Sequence, residues 1–166
     1  MAKVAMKNFL RLLLGGAFAG LVAGLVLGFY LIFVGLPDSD PWLVARLAGV
    51  GLFGDAVFSN APGAILVSLL IHLGVSMGWG VLFAAVIHGE PKGLTFFAAI
   101  AWAFVAWAVM SYAIGPAMAA GPMIQGIPIG RMITGHALFG VALGLAFVPF
   151  QRRDQSPGRI RRPVHA

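Results

Sequence analysis

Long apolar stretches dominate the chain, and most charged positions lie in the segments between and beyond them. Four stretches, at about 9–36, 62–87, 93–117 and 131–150, are each long enough for a membrane span. An α-helix rises about 1.5 Å per residue, so some twenty residues cross a hydrocarbon core of about 30 Å. The pattern therefore predicts an all-α bundle of four transmembrane helices, forming a single domain over residues 1–150.

The segment between the first two spans predicts one further helix. The polar triplet 38–40 offers N-cap oxygen atoms, Pro41 is typical of a first helical position, and an apolar run follows. We expect a short helix at about 41–53 that lies on the outer membrane surface. The connection between the third and fourth spans, residues 115–130, is rich in proline and glycine, which predicts an irregular connector.

Composition excludes several classes of protein. Apolar residues make up 60% of the 166 positions and charged residues only 10%, too little polar surface for a soluble globule. The chain has no cysteine, so it can form no disulfide, thiolate metal site or iron–sulfur cluster. The apolar stretches also lack paired carboxylates, a serine–histidine–aspartate set and a phosphate-binding glycine loop. We therefore expect no catalytic residues and no enzymatic activity.

The basic residues predict the orientation in the membrane. The N-terminal segment, residues 88–92 and the C-terminal tail hold nine of the eleven Lys and Arg residues. By the positive-inside rule, both termini should be cytoplasmic. The tail, residues 151–166, is expected to be disordered, and its five arginines are expected to contact lipid headgroups: Arg152, Arg153, Arg159, Arg161 and Arg162. Nucleic acid is not an expected partner, because the chain has no aromatic and basic groove.

The first span carries Gly16, Gly20, Gly24 and Gly28 at four-residue spacing. Such a glycine zipper lets another helix backbone approach closely in a membrane, where packing drives helix association. One interpretation is internal packing against small residues of the second and fourth spans, among them Gly80, Gly140 and Gly144. The other is docking onto a second copy or onto another membrane protein.

A modest internal repeat relates the second and fourth spans. Placing His72 on His136 also aligns Gly80 with Gly144 and Phe83 with Phe147. Two parallel two-helix repeats would be related by a pseudo-two-fold axis along the membrane normal. The two histidines should then lie at similar depth, near the inner membrane boundary, and could converge between the second and fourth spans.

Three interpretations of the two histidines stay open. They could form a buried polar site in which each ring hydrogen-bonds a backbone carbonyl or a hydroxyl group across a helix interface. They could be the axial ligands of haem b, or they could sense protons or contact a quinone. Two histidines are too few for a usual structural zinc site, so no metal site is expected.

The second half of the chain resembles the YagU-like group of small bacterial inner-membrane proteins. The resemblance rests on Ile71-His72-Leu73-Gly74, the turn at 89–93, Gly115-Pro116, and Gly135-His136 through Gly144. It implies a four-helix protein of the bacterial inner membrane and says little about mechanism.

The function that these features favour is contact with other membrane components. We expect a non-enzymatic accessory or structural subunit that packs, in the lipid bilayer, against a larger membrane complex or against its own copies. The first alternative is an electron-transfer protein that binds haem b through His72 and His136. The second is a small-solute permease, which the apolar character of the spans disfavours.

Overall fold

The computed structural model describes residues 2–35, 41–58, 63–118 and 121–151. Within these residues every regular element is helical. The α-helices are α1 (Ala2–Gly35), α2 (Leu43–Phe53), α3 (Ala64–Val86), α4 (Lys92–Ala108), α5 (Gly121–Gln125) and α6 (Ile129–Phe147). A π-helical turn, Val109–Ile114, extends α4, and short 3₁₀ turns cover Gly54–Phe58, Gly115–Ala117 and Val148–Phe150.

Four of the helical segments can cross a membrane: Phe9–Val34, Ala64–Val86, Lys92–Ala117 and Ile129–Phe150. They confirm the four spans and the all-α bundle predicted from the sequence. The bundle has two ends. The α2 end also carries α5, and the opposite, hairpin end carries the turn between α3 and α4. Gly89 has a φ of 94°, a left-handed conformation that glycine adopts without strain, and it makes this turn tight.

Helix α1 is central in the packing, with extensive contacts to α3 and α6, and α6 in turn packs along α4. The glycines of α1 face α3. A Cβ added at Gly20 would collide with the backbone of Ser76, and one added at Gly16 would lie 2.5 Å from the Gly80 carbonyl oxygen. The glycine face of α1 is therefore covered inside the chain.

The contact between α4 and α6 repeats this arrangement. A Cβ at Gly140 would lie 2.7 Å from the Ile100 Cα, and one at Gly144 would lie 2.9 Å from the Phe96 ring. Helix α6 thus presents its small residues to α4 as α3 presents Ser76 and Gly80 to α1. In each half of the chain, small residues allow the two helices to approach closely.

Phe83 and Phe147, which the sequence repeat pairs, meet in the centre of the bundle. Both are almost completely buried, and their rings contact edge to face with centroids 5.4 Å apart. This contact fits a pseudo-two-fold axis that passes between them. The two sides of the bundle nevertheless differ, because α1 packs closely on α6 whereas α3 and α4 barely touch.

The structure differs from two predictions of local structure, at the start of α2 and in the connector between the third and fourth spans. Helix α2 begins at Leu43 and has no side-chain N-cap; Pro41 lies in the preceding turn, so its predicted place as the first helical residue was wrong. The connector between the third and fourth spans is not wholly irregular, since it contains α5. Proline is tolerated there because Pro122 lies in the first turn, where no backbone N–H is needed. The polar triplet 38–40 and the five tail arginines lie outside the described residues.

Candidate functional site

The open α3–α4 side of the bundle holds a cavity of about 660 Å³. Helices α1, α2, α3, α5 and α6 and the C-terminal part of α4 contribute to its lining. Most lining side chains are apolar. The lining also includes a few polar or indole side chains: His72, Ser76, Trp79, Trp107, Ser111 and His136. A volume of this size is in the range of small-molecule sites in proteins.

Aromatic side chains close the cavity toward the hairpin end. The Trp79 and Trp102 rings contact edge to face with centroids 5.7 Å apart, and the Trp102 Nε1–H donates to the Trp79 carbonyl oxygen at 3.1 Å. Phe83 also contacts Trp102, with ring centroids 6.2 Å apart. These contacts join α3 to α4 where the two helices otherwise diverge, and Trp79 is the member of this group that lies on the cavity lining.

Helix α2 covers the cavity at the other end. Leu47, Ala48, Gly51 and Leu52 of this helix lie on its lining. The Arg46 Nη1–H donates to the Val57 carbonyl oxygen at 2.8 Å, which holds α2 to the 3₁₀ turn that follows it. The helix also packs along α3. Helix α2 therefore covers the cavity at this end and also connects the first two spans.

His72 reaches across from α3 to α1. Its Nε2–H donates to the Gly24 carbonyl oxygen at 2.9 Å. Glycine at position 24 leaves room for this approach, because a side chain there would begin 2.6 Å from the Ser76 Cβ. Gly24 therefore allows both the close packing of α1 on α3 and the hydrogen bond from His72.

His136 satisfies one ring nitrogen on its own helix. Its Nδ1–H donates to the Met132 carbonyl oxygen at 2.8 Å, and the Trp107 ring packs against it with centroids 6.2 Å apart. The repeat makes the α1–α3 contact comparable with the α4–α6 contact. In the first, Gly16 of α1 faces Gly80, and in the second, Ala99 of α4 faces Gly144. Two turns after these residues, α1 has Gly24 and α4 has Trp107. The bulky indole takes the place of the glycine, which explains why His136 does not bond across to α4 as His72 does to α1.

The structure brings both histidines to one cavity, but not as the sequence predicts. Helix α1 packs against both α3 and α6, and the rings that meet directly between α3 and α6 are those of Phe83 and Phe147. Each histidine lies about two turns from the start of its helix, at Ala64 and Ile129, so both are at similar depth. They lie nearer the α2 end than the hairpin end, whereas the sequence pattern predicted a position toward the hairpin end.

The second nitrogen of each ring is reachable from the cavity. Nδ1 of His72 and Nε2 of His136 make no hydrogen bond within the described residues, and neither atom is buried without a partner. A carbonyl oxygen only accepts, so the nitrogen bonded to it carries the proton. In the neutral rings, the second nitrogen is therefore a hydrogen-bond acceptor.

These hydrogen bonds do not test the haem prediction. An axial histidine of a b-type haem must offer a free ring nitrogen, and each ring here keeps one nitrogen free while the other bonds a backbone carbonyl oxygen. The described residues also contain no cluster of three or more His, Cys, Asp or Glu side chains that could hold a metal ion. The chemistry that these residues offer is hydrogen bonding inside an apolar site.

No sequence pattern predicted the π-helical turn, which places Met110, Ser111 and Ile114 on the cavity lining. Such turns are frequent at functional sites. Tyr112 is not on the lining, and its ring contacts Trp107 edge to face with centroids 5.9 Å apart. The Gly115-Pro116 pair just after the turn was the only local signal of an irregular helix end.

Comparison with known proteins finds no matching family model, no matching curated protein and no matching solved structure. The resemblance to the YagU-like group therefore stays a prediction.

Proposed function

We propose that this multi-pass membrane protein is a non-enzymatic binding protein for a small lipid-soluble molecule. The observation that carries the proposal is the cavity of about 660 Å³ between α3 and α4. It lies within the spanning part of the bundle, so a molecule dissolved in the bilayer has a short path to it. Its apolar lining suits a hydrocarbon body, and the few polar groups suit one polar end.

Within the part of the chain that the structure describes, the lining contains no acidic residue, lysine or arginine. General acid–base chemistry would depend on the two histidines alone, each of which already spends one ring nitrogen on a backbone carbonyl. Binding without chemical conversion is the simpler role for such a site. An alternative proposal is electron transfer through haem b held by the free ring nitrogens of His72 and His136.

The proposal is tested with a pair of substitutions one turn apart on α3. Gly78 lies on the cavity lining and Gly74 does not, and at both positions the space around an added Cβ is open to 4 Å. Gly78→Phe therefore fills part of the cavity without a clash, and Gly74→Phe adds the same ring outside it.

The proteins would be extracted with their surrounding lipid in polymer-bounded discs, and small molecules would be identified by mass spectrometry. We expect a molecule enriched over the bulk lipid in the wild-type protein and in Gly74→Phe, and lost from Gly78→Phe. If no molecule is enriched, or if both variants retain it equally, the proposal is wrong.

A second candidate function is the accessory subunit predicted from the sequence. It is favoured by Gly74 and Gly78, which form an exposed small surface on α3 where a helix of a larger complex or of a second copy could approach closely. The α1 glycines do not support it, because α3 covers them. The same pair of variants separates the two functions: a docked helix would be displaced by both substitutions, and a cavity ligand only by Gly78→Phe.

The location of the protein is part of the proposal. We place it in the bacterial inner membrane with both termini in the cytoplasm, on the distribution of basic residues and the YagU-like resemblance. The cavity then opens in the outer half of the bilayer, beneath α2.

A further inference from the structure

We propose that the molecule bound in the cavity is a lipid-soluble alcohol or phenol, whose hydroxyl group donates a hydrogen bond to Nδ1 of His72 or Nε2 of His136. This inference rests on the proposed binding function and adds the chemical class of the ligand. It follows from which ring nitrogens of His72 and His136 already form hydrogen bonds with the protein backbone.

The backbone fixes the proton on each ring. Gly24 and Met132 offer carbonyl oxygens, at 2.9 Å from Nε2 of His72 and 2.8 Å from Nδ1 of His136. Each bond requires the N–H at that nitrogen and leaves a lone pair on the other nitrogen. Among the described residues, none that lines the cavity is acidic, so none of them offers a carboxylate to hold a second proton on either ring.

An acceptor that faces an apolar cavity favours a ligand that donates. A ketone, ester or ether carries only acceptors and would leave both imidazole lone pairs without a partner. A hydrocarbon chain would do the same. A hydroxyl group supplies the donor, and its oxygen can still accept a bond.

The remaining polar groups of the lining are compatible with this assignment. The Ser76 and Ser111 hydroxyls can donate or accept, so they do not discriminate between ligand classes. The indole N–H groups of Trp79 and Trp107 only donate, and a ligand hydroxyl oxygen can accept from them. A hydroxyl group can therefore satisfy both kinds of partner with a single oxygen atom.

The test compares two ligands that differ only in the donor. The probes are 12-bromododecan-1-ol and its methyl ether, added to the purified full-length protein in detergent with concentrations expressed per micelle. Bromine quenches tryptophan fluorescence on contact, and Trp79 and Trp107 both lie on the lining. We expect saturable quenching by both probes, with the alcohol binding about two- to tenfold more tightly, the value of one hydrogen bond to a neutral group.

Three variants assign the effect to the histidines. In the double variant His72→Leu, His136→Leu the alcohol and the ether should bind equally. Thr134→Val removes a hydroxyl group from the exposed part of α6, outside the cavity, and should keep the wild-type preference. Gly78→Phe should abolish saturable quenching by both probes. Should the double variant not fold, the single variants His72→Leu and His136→Leu replace it, and at least one of them should lose the preference for the alcohol.

The outcomes separate the two proposals. If neither probe gives saturable quenching in the wild-type protein, the cavity is not a binding site and the proposed function fails. If both bind with the same affinity, or the ether binds more tightly, the binding function stands and the assignment of an alcohol or phenol is overturned. Retention of the preference by the double variant also overturns it.

Discussion

The α1–α3 contact can be tested by adding a single methyl group at two positions of the same glycine face. At Gly20, an added Cβ would collide with the Ser76 backbone and would lie 3.0 Å from the Met77 Cα. At Gly28, the nearest atom would be Nε2 of His72 at 3.7 Å, an ordinary van der Waals distance. Gly20→Ala should therefore separate the helices, and Gly28→Ala should not.

The size of the effect follows from the difference between the two variants. Alanine favours a helix over glycine by about 1 kcal/mol, and this gain applies at both positions, so it cancels in the comparison. What remains at Gly20 is overpacking against backbone atoms that cannot rotate away, which costs about 1–3 kcal/mol. A gap of up to about 1 Å between the helices also forfeits part of their dispersion attraction, the main force between helices in lipid.

The assay is equilibrium unfolding in mixed micelles, monitored by circular dichroism, with both variants measured beside the wild-type protein. Gly28→Ala should match or slightly exceed the wild-type stability. Gly20→Ala should have a free energy of unfolding about 1–3 kcal/mol below that of Gly28→Ala. Equal stabilities would refute the assignment of Gly20 to a close backbone contact with α3.

Three further predictions concern the centre of the bundle and its orientation. Phe83→Ala should lower the free energy of unfolding by about 3–5 kcal/mol because the ring is fully buried, and a loss below 1 kcal/mol in the same assay would contradict this. Trp102→Phe replaces the indole with a smaller phenyl ring and removes the N–H bond to Trp79, so it should cost at least about 0.5–1.5 kcal/mol in thermal unfolding, whereas no loss would mean that the bond is not formed. The chain has no cysteine, so single cysteines report topology: on intact cells an impermeant thiol reagent should label Gly126→Cys and not His88→Cys, and the reverse would invert the proposed orientation.

The helices themselves could be predicted from the sequence because each span is a single continuous feature of the chain. Apolar length gives the spans, and Gly89 in the short polar segment 87–91 gives the hairpin turn. The start of α2 could not be placed to the residue, since Pro41 fits both a first helical turn and the turn that precedes a helix. Helix ends depend on local backbone geometry that such patterns leave open.

The cavity could not be predicted, because it depends on which helices are neighbours. The sequence repeat aligns Phe83 with Phe147, whose rings touch, and His72 with His136, which line the same cavity, yet it implies equal contacts on both sides of the bundle. The asymmetry arises from individual side chains. Trp79 and Trp102 hold α3 and α4 together at one level only, and Trp107 occupies the place that Gly24 leaves open on α1.

A crystal structure of the protein grown in a lipid mesophase is the measurement that tests the central claim most directly. The account predicts that α3 and α4 stay apart at the α2 end, with density for an elongated molecule whose polar end lies within hydrogen-bonding distance of His72 or His136. A structure in which α3 and α4 pack together along their whole length, leaving no space between them, would contradict it.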